Sequence, residues 1–385
     1  MAILYLNNAS TTKPDDEVLN DFMWCAENCW HNPSDVSEGG LLSRDIIKTA
    51  QKQIACSINS KPEEIIFTSG GSESNNWAIK GFLDKNKDYK NIITTKIEHP
   101  SVYNTCQYME KHGCKVLYVE TNKYGTVDIN SLEKLLKNNS TKSFVSIMFA
   151  NNEIGTIQDI KKISEMVHKY NGVFHCDAVQ AYLHTKIDVK DLGIDMMSVS
   201  FHKFGGFKNC GFLYVKKEIE LTPLIHGGHQ FDSKRAGTEN VPMIYAMGNQ
   251  VQRYNYDIDI FQKKEKELFD YTVFKIYDRC RSVCDVHLNG STFDRIFNNI
   301  SLTFKDINAS RLISLLELKG VYVSAGSACQ SGEKTPSRVL KTIGLKNNDA
   351  FSTIRISLNK NTTKDEIDYF IDALIESIKS LKMFG

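Results

Sequence analysis

The chain has little proline (7 in 385 residues), little tryptophan (3), and no excess of one charge: 47 Lys and Arg face 46 Asp and Glu, a formal balance of +1. Near-neutrality removes the electrostatic footprint expected of a nucleic-acid binder or of a protein that lies on an anionic membrane. Long apolar runs are missing too. No stretch approaches the roughly 20 apolar residues of a membrane-spanning helix. The opening MAILYLNNASTTKPDD lacks both the basic region and the apolar length of a secretory signal. These absences point to a soluble, cytoplasmic protein with neither nucleic acid nor membrane as partner. Neither GxGxxG nor GxxxxGK[ST] occurs, which removes the usual dinucleotide and P-loop readings.

Cysteine is not scarce, but its 10 copies are scattered from Cys25 to Cys329, unlike the dense framework of a disulfide scaffold. They read as free thiols in a reducing compartment. Cys25/Cys29 and Cys280/Cys284 have i,i+4 spacing, which places each pair on one helix face. Neither pair has the C-x-x-C form of a zinc knuckle, so core packing is expected and no metal.

What is present is an alternation. EEIIFTSG, NIITTKIEH, CKVLYVE, KSFVSIMFA, GVFHCDA, DMMSVSFHK and CGFLYVK read as strands, with helical stretches such as SLEKLLKNN and IKKISEMVHKYNG between many of them. That pattern predicts βαβ units and a mostly parallel sheet, an α/β fold. After about residue 255 the texture changes to long charged helices around NNISLTFKD and TIRISLN. A large domain over 15–255 is expected, with 1–14 and 256–385 forming a smaller α/β domain.

Ligands of open parallel sheets bind beyond the carboxyl ends of the strands. Here those ends carry TSGGSESNN, EHPSV, ANNEIG, HCDAVQ and SFHK. TSGGSES has the form of a phosphate cradle at a helix start, with Ser72 as the expected cap. A phosphate site, a carboxylate (Asp177) suited to a protonated heterocyclic nitrogen, a flat side chain (His99) and a lysine (Lys203) 26 positions after the acid make the equipment of a pyridoxal phosphate enzyme.

The segments YLNNASTT, NPS, FTSGGSESNNWAIKG, EHPSV, ANNEIGTIQ, HCDAVQA, SFHKF, RAGTENVP, SAGSACQSG, PSRVL and IRISL, in this order and nearly end to end, resemble cysteine desulfurases of the NifS/IscS-like type. The resemblance implies a fold type I pyridoxal phosphate transferase that acts as a homodimer and converts L-cysteine to L-alanine. The sulfur is left as a persulfide for an acceptor protein in iron–sulfur cluster, thio-cofactor or tRNA biosynthesis. It makes Lys203 the Schiff-base lysine, Asp177 the partner of the ring nitrogen and His99 the stacking, proton-handling group. It places Asn152 and Gln180 near the phenolic oxygen. Gly71, Ser72, Ser200 and His202 lie on the phosphate, and Thr238 on the phosphate of the neighbouring subunit. Arg355 clamps the substrate carboxylate, beside Asn152, and Cys329 is the sulfur acceptor. The small residues around Cys329 suit a mobile loop over about 324–337.

The chain departs from the family at Asn7, where Asp is usual. It departs again at FGGFKNCG after the lysine, with Phe207, Asn209 and Cys210, and at His229 and Phe231 after IHGG. It ends at KSLKMFG, without the long tail that some members use to dock a scaffold. Selenocysteine lyase, cysteine-sulfinate desulfinase and a non-catalytic binding relative are the alternative readings. Retention of both Lys203 and Cys329 weighs against the last.

Overall fold

The computed structural model describes residues 3–138, 141–325 and 335–384. In chain order the strands are β1 (Leu4–Tyr5), β2 (Ile65–Thr68), β3 (Asn91–Thr95), β4 (Lys115–Val119), β5 (Ser143–Ser146), β6 (Val173–Asp177), β7 (Met196–Ser200), β8 (Gly211–Val215), β9 (Val286–Leu288), β10 (Asn299–Phe304), β11 (Val321–Tyr322) and β12 (Thr353–Ser357). Seven of them form one sheet in the order β2-β8-β7-β6-β5-β3-β4. Only β8 runs against its neighbours; the other pairings are parallel. Helices cover such a sheet on both faces, so β3, β5, β6 and β7 are buried along their whole length, polar residues such as Thr94, Ser146, His175 and Ser198 included.

The connecting helices begin where short polar side chains can take up free N–H groups. Asp128 accepts from Asn130 and Ser131, and Asp159 accepts from Lys162. The helix after β2 departs from expectation: it spans Gly71–Lys85 and its cap is Gly70, not Ser72. Gly70 has φ 134°, a conformation that favours glycine, so the backbone turn moves the helix start two residues earlier than side-chain preference suggests.

A second sheet, β12-β10-β9, is antiparallel, and β1 pairs in parallel with β11. Leu4, Leu6, Leu302, Phe304, Leu312, Ile354, Ile356, Phe370 and Leu374 form its core, apart from the core around the large sheet. One 40-residue helix, Val241–Cys280, crosses position 255 without a break. Its first half (Ile244, Met247, Val251, Tyr254) packs into the first core, and Leu268, Phe269, Ile276 and Cys280 pack into the second.

Cys25 and Cys29 are buried at the end of the helix Asp16–Asn28. Cys280 closes the long helix and Cys284 lies just beyond it, its N–H donating to the Cys280 carbonyl at 2.9 Å, and the two thiols stay side by side. Among the described residues no group of His, Cys, Asp or Glu has the makings of a metal site, and no helix is long and apolar enough to cross a membrane.

The sheet and the cradle meet at Gly211, the first residue of β8. A Cβ there would strike the Val199 carbonyl and come within 2.7 Å of Gly70 Cα. Gly211→Ala is therefore expected to cost about 1–3 kcal/mol through overpacking, read as an earlier urea-unfolding transition. An unchanged midpoint would show that the turn gives way freely.

Candidate active site

The carboxyl ends of β2, β3, β5, β6 and β7 open into a cleft of about 1000 Å³. Its lining includes Gly71, Ser72, His99, Asn152, Asp177, Gln180, Ser200, His202, Lys203 and Arg355. Ten of the twelve expected residues are thus brought together by segments far apart in sequence. Thr238 does not join them: it is exposed and outside this cleft in the single chain. Cys329 lies outside the described residues.

Lys203 follows β7 in one short turn. Its Nζ donates to the carbonyls of Ala9 (2.8 Å) and Ser10 (2.7 Å). Burial, then the nearby Arg355 guanidinium, pull its pKa from 10.5 down to about 7, with Asp177 opposing. A depressed amine is a nucleophile and a base near neutral pH, which an ordinary surface lysine is not.

Asp177 closes β6 and is buried. Its Oδ1 accepts from the Val179 N–H (3.0 Å) and its Oδ2 from Asn75 Nδ2 (2.8 Å). Neither donor is a cation, so the carboxylate enters the cleft floor with its charge unpaired by them. Asn75 Nδ2 also donates to Ser101 Oγ (2.9 Å), which lies 2.7 Å from His99 Nδ1. A chain of polar contacts therefore runs from Asp177 to His99.

His99 opens onto the cleft as the cap of the helix Pro100–Lys111, its Nδ1 accepting the Ser101 N–H at 3.2 Å. That bond leaves Nε2 to carry the proton of the neutral ring. Crowding by protein lowers its pKa, opposed first by Asp177, with Lys203 adding to the lowering. Behind it, burial pushes the Glu98 carboxyl up to about 8, so Glu98 is protonated at neutral pH, and its Oε2 has no partner among the described residues.

The cradle is built from glycine because side chains do not fit. A Cβ on Gly71 would come within 2.6 Å of Val179, and one on Gly70 within 3.2 Å of Ser200 Oγ. Ser200 and His202 face this turn from β7 and its continuation. His202 meets Thr11 Oγ1 at 3.1 Å, and burial, with Lys203 and Lys208 adding to it, lowers its pKa to about 3, so it offers a neutral ring.

Arg355 comes from β12, on the second sheet, and is buried. It donates to the Asn152 carbonyl (2.8 Å), Asn7 Oδ1 (3.0 Å) and Ser10 Oγ (2.6 Å). These acceptors are neutral, so its charge remains available to a carboxylate in the cleft. Gln180 Nε2 donates to the Ala9 carbonyl at 2.9 Å. Asn7 was noted as a departure from the family, but Ala9, Ser10 and Thr11 were not foreseen as site residues. They form a strap that leaves the second core and crosses the cleft, and their only signal was the run of small polar residues NNASTT.

The class-V aminotransferase family profile matches residues 4–370. The cysteine desulfurase IscS of Methanosarcina thermophila is 39% identical over 380 residues, 98% of this chain and 93% of the relative. A solved NifS-like protein superposes with a TM-score of 0.92 at 33% identity, covering 99% of this chain and 100% of its own. The structure described as SspA in complex with cysteine gives a TM-score of 0.80 at 32% identity over 94% of this chain and 100% of its own.

The depressed lysine has a measurable consequence. Between pH about 7 and 10.5 the unfolded chain holds a proton that folded Lys203 has released, so this group alone makes unfolding harder as the pH rises through that window. Acylation of the ligand-free protein, mapped by mass spectrometry, should show Lys203 reacting with a midpoint near 7 while surface lysines titrate in their ordinary range. Arg355→Gln should raise that midpoint and Asp177→Asn lower it. A Lys203 midpoint at the ordinary lysine value would contradict the site electrostatics.

Proposed function

The chain belongs to the class-V aminotransferase family and, within it, to the cysteine desulfurases, and on that basis we propose that it converts L-cysteine to L-alanine with pyridoxal phosphate as cofactor and Cys329 as sulfur acceptor. The observation that carries the reading is Lys203: a buried amine with a pKa near 7, at a strand end, in one cleft with a glycine cradle and a buried carboxylate. The fit to the cofactor rests on shape and donor chemistry. A Cβ at Gly70 or Gly71 would crowd the cradle, and among the described residues the donors to Asp177, Val179 N–H and Asn75 Nδ2, are neutral.

In this reading Gly71, Ser72, Ser200 and His202 hold the phosphate, with free N–H groups of the helix start facing it. Asp177 would pair with the ring nitrogen, His99 would cover the ring, and Asn152 and Gln180 would serve the phenolic oxygen. Pyridoxal phosphate supplies an electron-withdrawing ring conjugated to the substrate nitrogen. Arg355 binds the substrate carboxylate. The Lys203 amine takes the α-proton, and His99 Nε2 stands open to the cleft as a second proton carrier. Cys329 Sγ attacks the substrate sulfur: the Cβ–S bond breaks, an S–S bond forms, and the carbon skeleton takes up protons and leaves as alanine.

Thr238 is assigned to the phosphate of a second copy, which makes the working unit a homodimer. Exposed Leu19, Met23, Trp24 and Trp30, with Trp24 packed 5.3 Å from Tyr245, offer an apolar flank for that contact. The two cores are assigned to a large domain over 15–255 and a small one formed by 1–14 and 256–385. The persulfide is assigned to an acceptor protein serving iron–sulfur cluster or thio-cofactor and tRNA synthesis, in the cytoplasm.

Reduction with borohydride should fix pyridoxal phosphate onto Lys203 of the wild type and onto nothing in Lys203→Ala. Cys329→Ala should keep the cofactor and bind cysteine, yet release alanine only at background. Single-turnover trapping should find one extra sulfur on Cys329. Extra sulfur on another cysteine would overturn the acceptor assignment, and a chain that never takes up the cofactor would overturn the whole reading. Sedimentation should give a dimer; a fully active monomer would exclude the role of Thr238.

A further inference from the structure

Glu73 presents a difficulty for an anion site. It is the third residue of the helix that starts the cradle, and it lines the cleft together with Ser69, Gly70, Gly71 and Ser72. A carboxylate there repels a phosphate dianion bound at the same helix start. The fold answers with a clamp. Arg235 Nε donates to Glu73 Oε1 at 2.9 Å and Nη2 to Oε2 at 3.1 Å, and the Ser69 N–H adds 2.7 Å to Oε2. Both partners are largely buried, with side chains 20% and 9% exposed. Two parallel bonds hold the carboxylate in one place and cancel its charge. Burial alone would raise the Glu73 pKa, but Arg235 and the Ser69 N–H outweigh it and hold it down.

Arg235 belongs to a segment with few other ties. Phe231 packs edge-on against Phe67 at 5.9 Å, in the strand that leads to the cradle, and the Gly237 N–H reaches Gln230 Oε1 at 3.1 Å. Thr238, three residues beyond Arg235, is exposed. The guanidinium therefore fastens the segment that bears Thr238 to the helix that bears the cradle, across 162 positions of sequence.

We propose that Arg235 is a positioning residue that makes the cradle fit for a phosphate by clamping Glu73, and that the same clamp sets the Thr238 segment for contact with a second copy of the chain. This rests on the phosphate-cofactor and dimer reading above. Binding of the phosphate and assembly of the dimer are then reciprocally linked, because one clamp serves both.

The test uses cofactor-stripped protein and four chains: wild type, Arg235→Gln, Glu73→Gln and the double variant. Arg235→Gln leaves a carboxylate uncompensated, so its affinity for pyridoxal phosphate should fall about tenfold. Its affinity for pyridoxal, which has no phosphate, should stay within about twofold. Removing the repelling charge as well should restore the double variant to within about threefold of wild type. On the centrifuge Arg235→Gln should shift toward monomer, and saturating pyridoxal phosphate should draw it back. Equal losses for pyridoxal and pyridoxal phosphate, or a double variant as weak as Arg235→Gln, would overturn the clamp's electrostatic role. An unchanged dimer in Arg235→Gln would overturn the linkage. Inorganic phosphate, read by its rise in Tm, applies the same comparison even to a chain that takes no pyridoxal phosphate, so the two readings fail separately.

Discussion

The arrangement depends on one desolvated amine. Lys203 has been carried from water into a cleft where its partners are the carbonyls of Ala9 and Ser10, dipoles and not charges. Carbonyls stabilise an ammonium less than a carboxylate does, and the Arg355 guanidinium lies near, so the proton is loosely held. A carboxylate in their place would have made a stable, inert ion pair. The strap thus does two things at once: it anchors the side chain and leaves the nitrogen reactive.

The same strap ties the two cores together at the site. Its first residues pair with β11 and bridge to Ser357 beside β12's Arg355, and its last ones bond the turn that bears His202 and Lys203. Thr12 donates its N–H to the His202 carbonyl at 2.9 Å and accepts the Gly205 N–H at 2.9 Å on its hydroxyl. Asn7 fits this role as a neutral acceptor. With a carboxylate at position 7 Arg355 would carry a resident counter-ion; with the amide its charge faces the cleft unpaired by that neighbour.

Much of the site was legible because parallel sheets put their ligands at strand ends, and polar residues there stand out against apolar runs. Lys203, Asp177 and His99 are visible for that reason. What stayed hidden works through the main chain or across long separations. The Ala9 and Ser10 carbonyls carry no residue signature. Asn75 and Ser101 read as ordinary first-turn residues until Asp177 and His99 fall on either side of them. The Glu73–Arg235 clamp joins two unremarkable charges. Ser72 looked like the better cap because side-chain preference favours serine, but the left-handed turn at Gly70 decides the boundary. The helix through position 255 was missed since its middle, DIDIFQKKEKE, is mostly polar and exposed although Ile258 and Glu265 are buried, while its two ends do most of the packing.

That helix sets how the two cores can move. At 1.5 Å per residue its 40 residues span about 60 Å, with one end embedded in each core. A continuous helix does not swivel at its midpoint as a loop does; it bends slightly or slides against its neighbours. It therefore acts as a lever arm. A tilt of a few degrees where it enters the large core would displace the far end by several ångström. Any approach of β12's Arg355 toward the cleft is thus geared to how firmly the helices Asp16–Asn28 and Glu38–Ser57 grip the near end of the rod.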